Sequence, residues 1–262
     1  MQNATKYLRQ KVPLCQEEDR VPFCSMQGKT KSVSPSVLPV PVICTVDIVL
    51  LTLEDGRLRS VLLPREAAPF QGIPALPGGF VHPDADRDLR DSAERVMRTK
   101  LGIEGAYLEQ LGVFSGMGRD PRGWSLSVAW YTLVSREVLR ALLPEHAVVR
   151  DASDLAGLPF DHAQIVTAAV ERVQSKSSYS SLPVHLCPAT FTLPQLQSAY
   201  EVVLGEPINN VSFRRKMKEL DFLEPVLGAQ TSSGAHRPAQ LWRLRPAFHS
   251  RLSLTDRGFN SG

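Results

Sequence analysis

Cysteine is scarce in this 262-residue chain. Cys15, Cys24, Cys44 and Cys187 are scattered, with no C-x-x-C spacing and no histidine pattern beside them. Such spacing offers neither a zinc frame nor a disulfide framework, so the four read as free thiols of a reducing compartment. Long apolar runs are also missing. The longest mostly apolar stretch, Val40 to Leu53, is interrupted by Asp47 and falls far short of the roughly 20 residues that span a bilayer. No apolar segment follows Lys6, Arg9 and Lys11, so no secretory signal is read there. Nor is there a large excess of either charge: 30 Lys and Arg stand against 27 Asp and Glu, a net +3. That small excess excludes neither nucleic acid nor a small anion, and what matters is where it sits. Hydrophobic residues at 43% and charged residues at 22% rule against wholesale disorder. The expectation is a soluble, cytoplasmic protein of one large or two modest domains, with no membrane partner.

What is present divides unevenly. Residues 1–39 show no sustained periodicity and end in Ser32-Val33-Ser34-Pro35-Ser36-Val37-Leu38-Pro39, the composition of a flexible arm. Order is expected from Val42, where a Val/Ile/Thr/Leu-rich strand runs to Leu53 and Asp55-Gly56 signals a hairpin. Arg59 to Leu63 is its return strand. Further strands are expected over Pro74–Val81, Tyr107–Phe114 and Ser125–Val134, with helices over Asp88–Leu101, Arg136–Leu143 and Gln164–Val173. This is a mixed sheet with helices on its faces, placed at residues 40–180.

The serine-rich stretch Ser175 to Pro188 reads as a polar joint. Beyond it, over residues 188–248, the order becomes helix, helix, hairpin. Leu193, Leu196, Tyr200 and Val203 share one helical face, and Ser212 is expected to cap a second helix carrying Phe213, Met217 and Leu220. Val226-Leu227 and Leu241-Trp242 flank a polar tip that suits a two-stranded wing, and residues 249–262 read as a flexible tail.

The segment Leu76-Pro77-Gly78-Gly79-Phe80-Val81, followed by a helix ending at Leu101-Gly102-Ile103, resembles the Nudix box, G-x5-E-x7-R-E-U-x-E-E-x-G-U. In that box the glycines shape a tight loop and glutamates on one helix face hold magnesium, because pyrophosphate hydrolysis needs hard oxygen ligands around a cation. Counted back from Gly102, the glutamate positions hold Val96, Thr99 and Lys100, while Arg95 is kept. Valine cannot ligate magnesium, and a lysine places a cation where the metal belongs. The resemblance therefore keeps its fold signal and loses its metal signal. No catalytic or metal residue is assigned and no cofactor is required. A Mg-dependent hydrolase would need replacement ligands from Asp84, Asp86 or Glu94.

Other residues still suit a ligand. Arg119 and Arg122 lie in Arg119-Asp120-Pro121-Arg122-Gly123-Trp124, similar to loops of Nudix proteins that act on ADP-ribose. Two planar guanidiniums suit a pyrophosphate, although an internal pair with Asp120 is equally open to them. Arg65 and Phe70 lie on the approach to Gly78 and Gly79 and are expected to meet phosphate and adenine. The ligand site is thus placed at Arg65, Phe70, Gly78, Gly79, Arg119 and Arg122.

In the second domain, Asn209 to Lys218 carries four basic residues and no acid. Burying Phe213 and Met217 projects Arg214, Arg215 and Lys218, so a DNA-reading helix and a solvated basic helix both fit. Arg214, Arg215, Lys216, Lys218 and, at the wing, Arg237 are the expected DNA contacts. Phe160-Asp161-His162, the run Phe191 to Gln197, Tyr200-Glu201, Phe213-Arg214-Arg215-Lys216 and Arg237 to Arg243 together resemble the Nudix-related transcriptional regulators of the NrtR family. That resemblance implies an α+β architecture, a Nudix α/β/α sandwich followed by a winged helix-turn-helix. It also implies a homodimer that binds operator DNA, responds to ADP-ribose or a related nucleotide or sugar-phosphate effector, and represses genes of NAD or related metabolism. His162 is expected to be structural. The competing expectation is a Nudix hydrolase of ADP-ribose or another nucleoside diphosphate derivative.

Overall fold

The computed structural model describes residues 41–231 and 239–255. The arm expected over 1–39 and the wing residue Arg237 lie outside the described residues. Strand β1 (Ile43–Glu54) forms from a run dominated by β-branched and leucine side chains. Asp55 and Gly56, both at positive φ, turn it into β2 (Arg57–Pro64), the left-handed pair that a tight hairpin requires. Then follow β3 (Pro74–Ala75), β4 (Gly78–Phe80), α1 (Leu89–Leu101), β5 (Glu109–Gly116), β6 (Ser125–Leu133), α2 (Arg136–Leu142), β7 (Val148–Asp151) and α3 (His162–Ser177). Strands β1 and β6 are parallel and every other pairing is antiparallel, so the sheet is mixed.

The alternation of β1 sorts its side chains between two layers. Val46, Ile48 and Leu50 pack with Ala93, Val96, Met97 and Leu101 of α1. Val49 and Leu51 pack on the opposite face with Ile165, Val166, Ala169 and Val173 of α3. The expected α/β/α sandwich is therefore present. Helix α1 starts at Asp88, whose side chain accepts from the Asp91 amide, and stops at Gly102 in the left-handed conformation. Burying its Val96, Met97 and Leu101 stabilises the layer by about 1.5–3 kcal/mol for each side chain.

Near its start β1 pairs with β4, and near its end with β2. Residues of β1, β2 and β4 beside this fork line a cleft.

The polar joint does not behave as a linker. A 3-10 turn at Leu182–Leu186 buries Leu182 and Leu186 in the same core as α3, and Val203 of the next domain joins them. The serines that suggested a loop are satisfied internally. Ser177 and Ser180 donate to the Val173 and Lys176 carbonyls at 2.6 and 2.7 Å, which lets hydroxyls be buried at a helix end. Reader and sandwich thus belong to one compact unit.

The reader comprises β8 (Phe191–Thr192), α4 (Leu193–Leu204), α5 (Asn210–Leu220), β9 (Leu223–Thr231) and β10 (Ala239–Leu244). Thr192 and Gln195 form a reciprocal capping box at the start of α4. Helix α5 is capped by Asn209, whose side chain accepts from the Val211 and Ser212 amides, and the expected cap Ser212 lies inside the helix. The wing has three strands, because β8 adds to β10. Its core is Phe191, Leu196, Tyr200, Phe213, Met217, Leu220 and Phe222.

Residues 249–255, expected as part of a tail, fold back on the joint. Ser181 N donates to Ser253 O and Thr255 N to Tyr179 O, both at 2.9 Å. The Ser253 hydroxyl donates to the carbonyl of Leu220, the last residue of α5.

Candidate functional site

The cleft at the fork has a volume of about 430 Å³ and brings together Arg65, Gly78, Gly79, Arg119 and Arg122. Gly78 is required by its neighbours. A Cβ there would lie 2.2 Å from Asp47 Oδ1 and 2.8 Å from the Val46 carbonyl, so only glycine lets the loop approach the strand this closely. Phe70 is outside the lining but meets Phe160 edge-on, with ring centroids 5.0 Å apart. Arg65 stands over the same Phe160 ring at 4.7 Å, and its guanidinium donates to the carbonyls of Pro69 and Ala67. Phe70 and Phe160 are both held at positive φ, a conformation costing about 1–3 kcal/mol for a bulky residue. The surrounding fold therefore fixes this aromatic pair beside Arg65.

The two loop arginines already have partners. Arg119 is buried and reaches Asp161 through Nε at 2.9 Å and a terminal nitrogen at 2.8 Å, with Asp47 at 3.7 Å. Burial alone would lower its pKa, but Asp161 and Asp47 outweigh that and raise it. Arg122 grips Asp120 at 3.0 and 2.7 Å and presents its guanidinium to the Phe80 ring at 5.3 Å. Of the two readings left open for this loop, the internal pair describes Arg122, and Arg119 is tied to a residue in another loop. Both still line the cleft.

Residues that sequence reasoning did not assign complete the wall: Asp47, Lys100, Phe80, Phe160 and His162. Asp47 had a visible signal, a lone carboxylate within an apolar strand. It accepts a hydrogen bond from Ser127 Oγ at 2.6 Å. His162 Nδ1 accepts from the Leu76 amide at 3.0 Å, which leaves the proton on Nε2 of a neutral ring. Burial lowers its pKa and favours that neutral form. It pins the cleft loop to α3, a structural role.

The residues on the α1 face do not fit a divalent cation. Val96 is buried in the apolar core, the Thr99 hydroxyl donates to the Arg95 carbonyl, and Lys100 carries a positive charge. Asp86 is held by Arg95 at 2.7 Å and by Ser92 at 2.6 Å, which keep its carboxyl well below the usual range. Glu94 pairs with Arg90 on the exposed side of the helix. Among the described residues no group of three His, Cys, Asp or Glu side chains could hold a metal ion.

The second candidate surface is α5. Phe213, Lys216, Met217 and Leu220 face inward, and Arg214, Arg215 and Lys218 are exposed. Among the described residues these three form no ion pair. Lys216 departs from expectation: it is only 5% exposed, because its place three after Phe213 and four before Leu220 puts it on the buried stripe. On the wing, Arg243 is paired with Glu224 at 2.6 Å, and Arg245 with Asp221 at 2.7 Å.

Between cleft and reader, the Tyr107 ring stacks on His185 at 5.1 Å. The Tyr107 hydroxyl donates to Glu109, which also accepts from Lys176 at 2.5 Å. Burial would raise the Glu109 carboxyl, but these partners bring it below its ordinary range. Burial, assisted by His249, depresses the His185 pKa to about 4. Among the described residues no helix is long and apolar enough to cross a membrane.

Comparison with known proteins agrees with this geometry. Residues 183–244 match the NrtR DNA-binding winged helix domain. The ADPR responsive transcriptional repressor NtrR of Acinetobacter baylyi is 35% identical over 229 residues, covering 86% of this chain and 90% of that protein. NrtR of Shewanella oneidensis, crystallised with a 27mer DNA, superposes with a TM-score of 0.75 at 34% identity, covering 82% of this chain and 98% of that one. The ADP-ribose pyrophosphatase of Methanocaldococcus jannaschii is 31% identical over 109 residues, 41% of this chain and 63% of that enzyme. A sandwich with a built cleft, a winged helix with a basic outer face and a relative matched over most of both chains lead to one assignment: the chain belongs to the NrtR family of Nudix-related transcriptional regulators.

Proposed function

We propose that this protein is a ligand-responsive transcriptional repressor that holds operator DNA through α5 and its wing and is controlled by ADP-ribose in the sandwich cleft. The observation that carries the reading is the state of α5. Three cations project from one helix face with no carboxylate partner among the described residues, inside the segment matched by the winged-helix family. Phosphate neutralisation requires such unpaired cations, and arginine and lysine can also reach base edges. Arg214, Arg215 and Lys218 are the DNA contacts of this reading, with Arg237 at the wing, and two copies of the chain read the two halves of a palindromic operator.

In the cleft, Phe160, backed edge-on by Phe70 from outside the lining, suits the adenosine portion and Arg65 the phosphates, while Gly78 and Gly79 let backbone approach the ligand. ADP-ribose changes DNA affinity only if it binds two states of the protein unequally. The Tyr107–His185 stack and the segment 251–255, which bonds to the joint and to the end of α5, tie the sandwich to the reader. The regulated genes are those of NAD or related nucleotide and sugar metabolism.

The test is selection of genomic DNA fragments by the full chain, followed by fluorescence anisotropy with the enriched fragment. One enriched palindrome, released on addition of ADP-ribose, is the expected result. No enrichment over random fragments would overturn the DNA reading. Mg-dependent release of AMP from ADP-ribose, lost in Asp84→Ala or Glu94→Ala, would establish the hydrolase instead.

A further inference from the structure

We infer that Lys100 takes the role a divalent cation has in a hydrolytic Nudix cleft: its ammonium group holds the pyrophosphate of the effector, so ligand binding needs no magnesium. The inference rests on the proposal that a nucleoside diphosphate sugar occupies this cleft.

Placement comes first. Gly79 lies over α1, where an added Cβ would stand 3.4 Å from Val96 Cγ2. Lys100 follows Val96 by four residues and so shares its helix face one turn further on. That turn brings Lys100 to the wall of the same cleft that Gly78 and Gly79 border, with Arg65 and Arg122 also in the lining. Val96 fills the space beneath the glycine loop with apolar volume, which leaves the outer end of this face to Lys100.

Charge comes second. A pyrophosphate diester is a dianion at neutral pH, and an enclosed dianion needs countercharge. The other cations in the wall are already balanced: Arg119 by Asp161 and Asp47, Arg122 by Asp120. Asp47 in turn accepts from Ser127. Arg65 is directed to backbone carbonyls and the Phe160 ring, with no carboxylate within ion-pair distance among the described residues. Lys100 likewise forms no ion pair among the described residues. Arg65 and Lys100 are thus the two lining cations with no carboxylate partner among the described residues, against the lining acids Glu66 and Asp47, the second of which shares the single charge of Arg119 with Asp161. An ammonium on a flexible stem can meet non-bridging oxygens of either phosphate, whereas the carboxylate that a hydrolase has at this position would repel them without a metal between.

Titration calorimetry of ADP-ribose into the full-length protein, in EDTA and again in magnesium, tests this. The wild-type Kd is expected to agree within about twofold in the two buffers. Lys100→Ala should weaken ADP-ribose about tenfold or more in both, the loss expected of a hydrogen bond to a charged group, while adenosine affinity and thermal melting stay unchanged. Arg98→Ala, an exposed cation of the same helix outside the cleft lining, should bind as wild type. Equal ADP-ribose affinity in Lys100→Ala and wild type, or wild-type binding that requires magnesium, would overturn the inference and leave the effector reading standing. Failure of the wild type to bind ADP-ribose in either buffer would overturn both.

Discussion

Helices α1 and α5 each carry four basic residues, yet they use them in opposite ways. On α1, Arg90 is paired with Glu94 and Arg95 with Asp86, so much of its charge is turned back into the protein. On α5, Arg214, Arg215 and Lys218 point outward with no ion pair among the described residues, and the one acid within the helix is Glu219. The cleft repeats the α1 pattern, since both loop arginines are gripped by carboxylates. The contrast separates two kinds of cation. Paired guanidiniums set the shape of a cavity, because their fixed forks tie loops together. Unpaired ones on a helix surface are available to another polyanion.

Five substitutions, in four tests, can break or sharpen that contrast. The largest effect is expected at Arg119. Arg119→Ala leaves buried Asp47 and part-buried Asp161 without their cation, which should cost about 3–5 kcal/mol of stability, read from urea denaturation midpoints. A loss below 1 kcal/mol would mean that this arginine is not structural. Next come Arg214→Ala and Arg215→Ala. Each should weaken operator binding by about 1–3 kcal/mol, and each phosphate contact removed should reduce the salt slope by about one. Their melting temperatures should stay within error of wild type. A loss of fold stability matching that of Arg119→Ala would erase the distinction between the paired cations of the cleft and the unpaired ones of α5.

The third concerns the joint between the regions. His185 is neutral in the folded state because its pKa is near 4, while in the unfolded chain it titrates near 6.5. Between those values the unfolded state binds the extra proton, so stability is present above pH 6.5 and falls as pH drops. From pH 7 to pH 5 this one group should cost about 2 kcal/mol. His185→Phe keeps a ring for Tyr107 and should flatten that part of the pH profile; an unchanged profile would place the titration elsewhere. The smallest effect is predicted for Lys216→Met. Its buried side chain makes no contact with a polyanion outside, so the salt slope of DNA binding should not move. A drop of about one would show that Lys216 reaches DNA after all.

Much of the fold was legible because it rests on local rules. Asp55-Gly56 needs positive φ, Gly102 and Gly205 end helices in the left-handed conformation, and alternation along Ile43–Glu54 sorts two layers. Lys216 was also open to a stricter reading, since its spacing from Phe213 and Leu220 already places it on the buried stripe. The polar joint misled because serine composition reports polarity, whereas burial depends on whether the hydroxyls find helix carbonyls. The cleft was half legible. Its glycines and Arg65 follow from the motif, but the partner of Arg119 stands 42 residues away in sequence, and no local spacing announces that pair.

The main helices and the β1–β2 hairpin, the loss of the glutamates at Val96, Thr99 and Lys100, and the outward Arg214, Arg215 and Lys218 of α5 were set by the sequence alone, since each depends on residue type and near-neighbour spacing. Tertiary structure decided which arginines stay available. It also turned residues 249–255 from a tail into a strap that reaches the end of α5, and fused the joint into the core. Those outcomes depend on charges and backbone groups far apart in sequence meeting at hydrogen-bond distance, and only the folded chain brings them there.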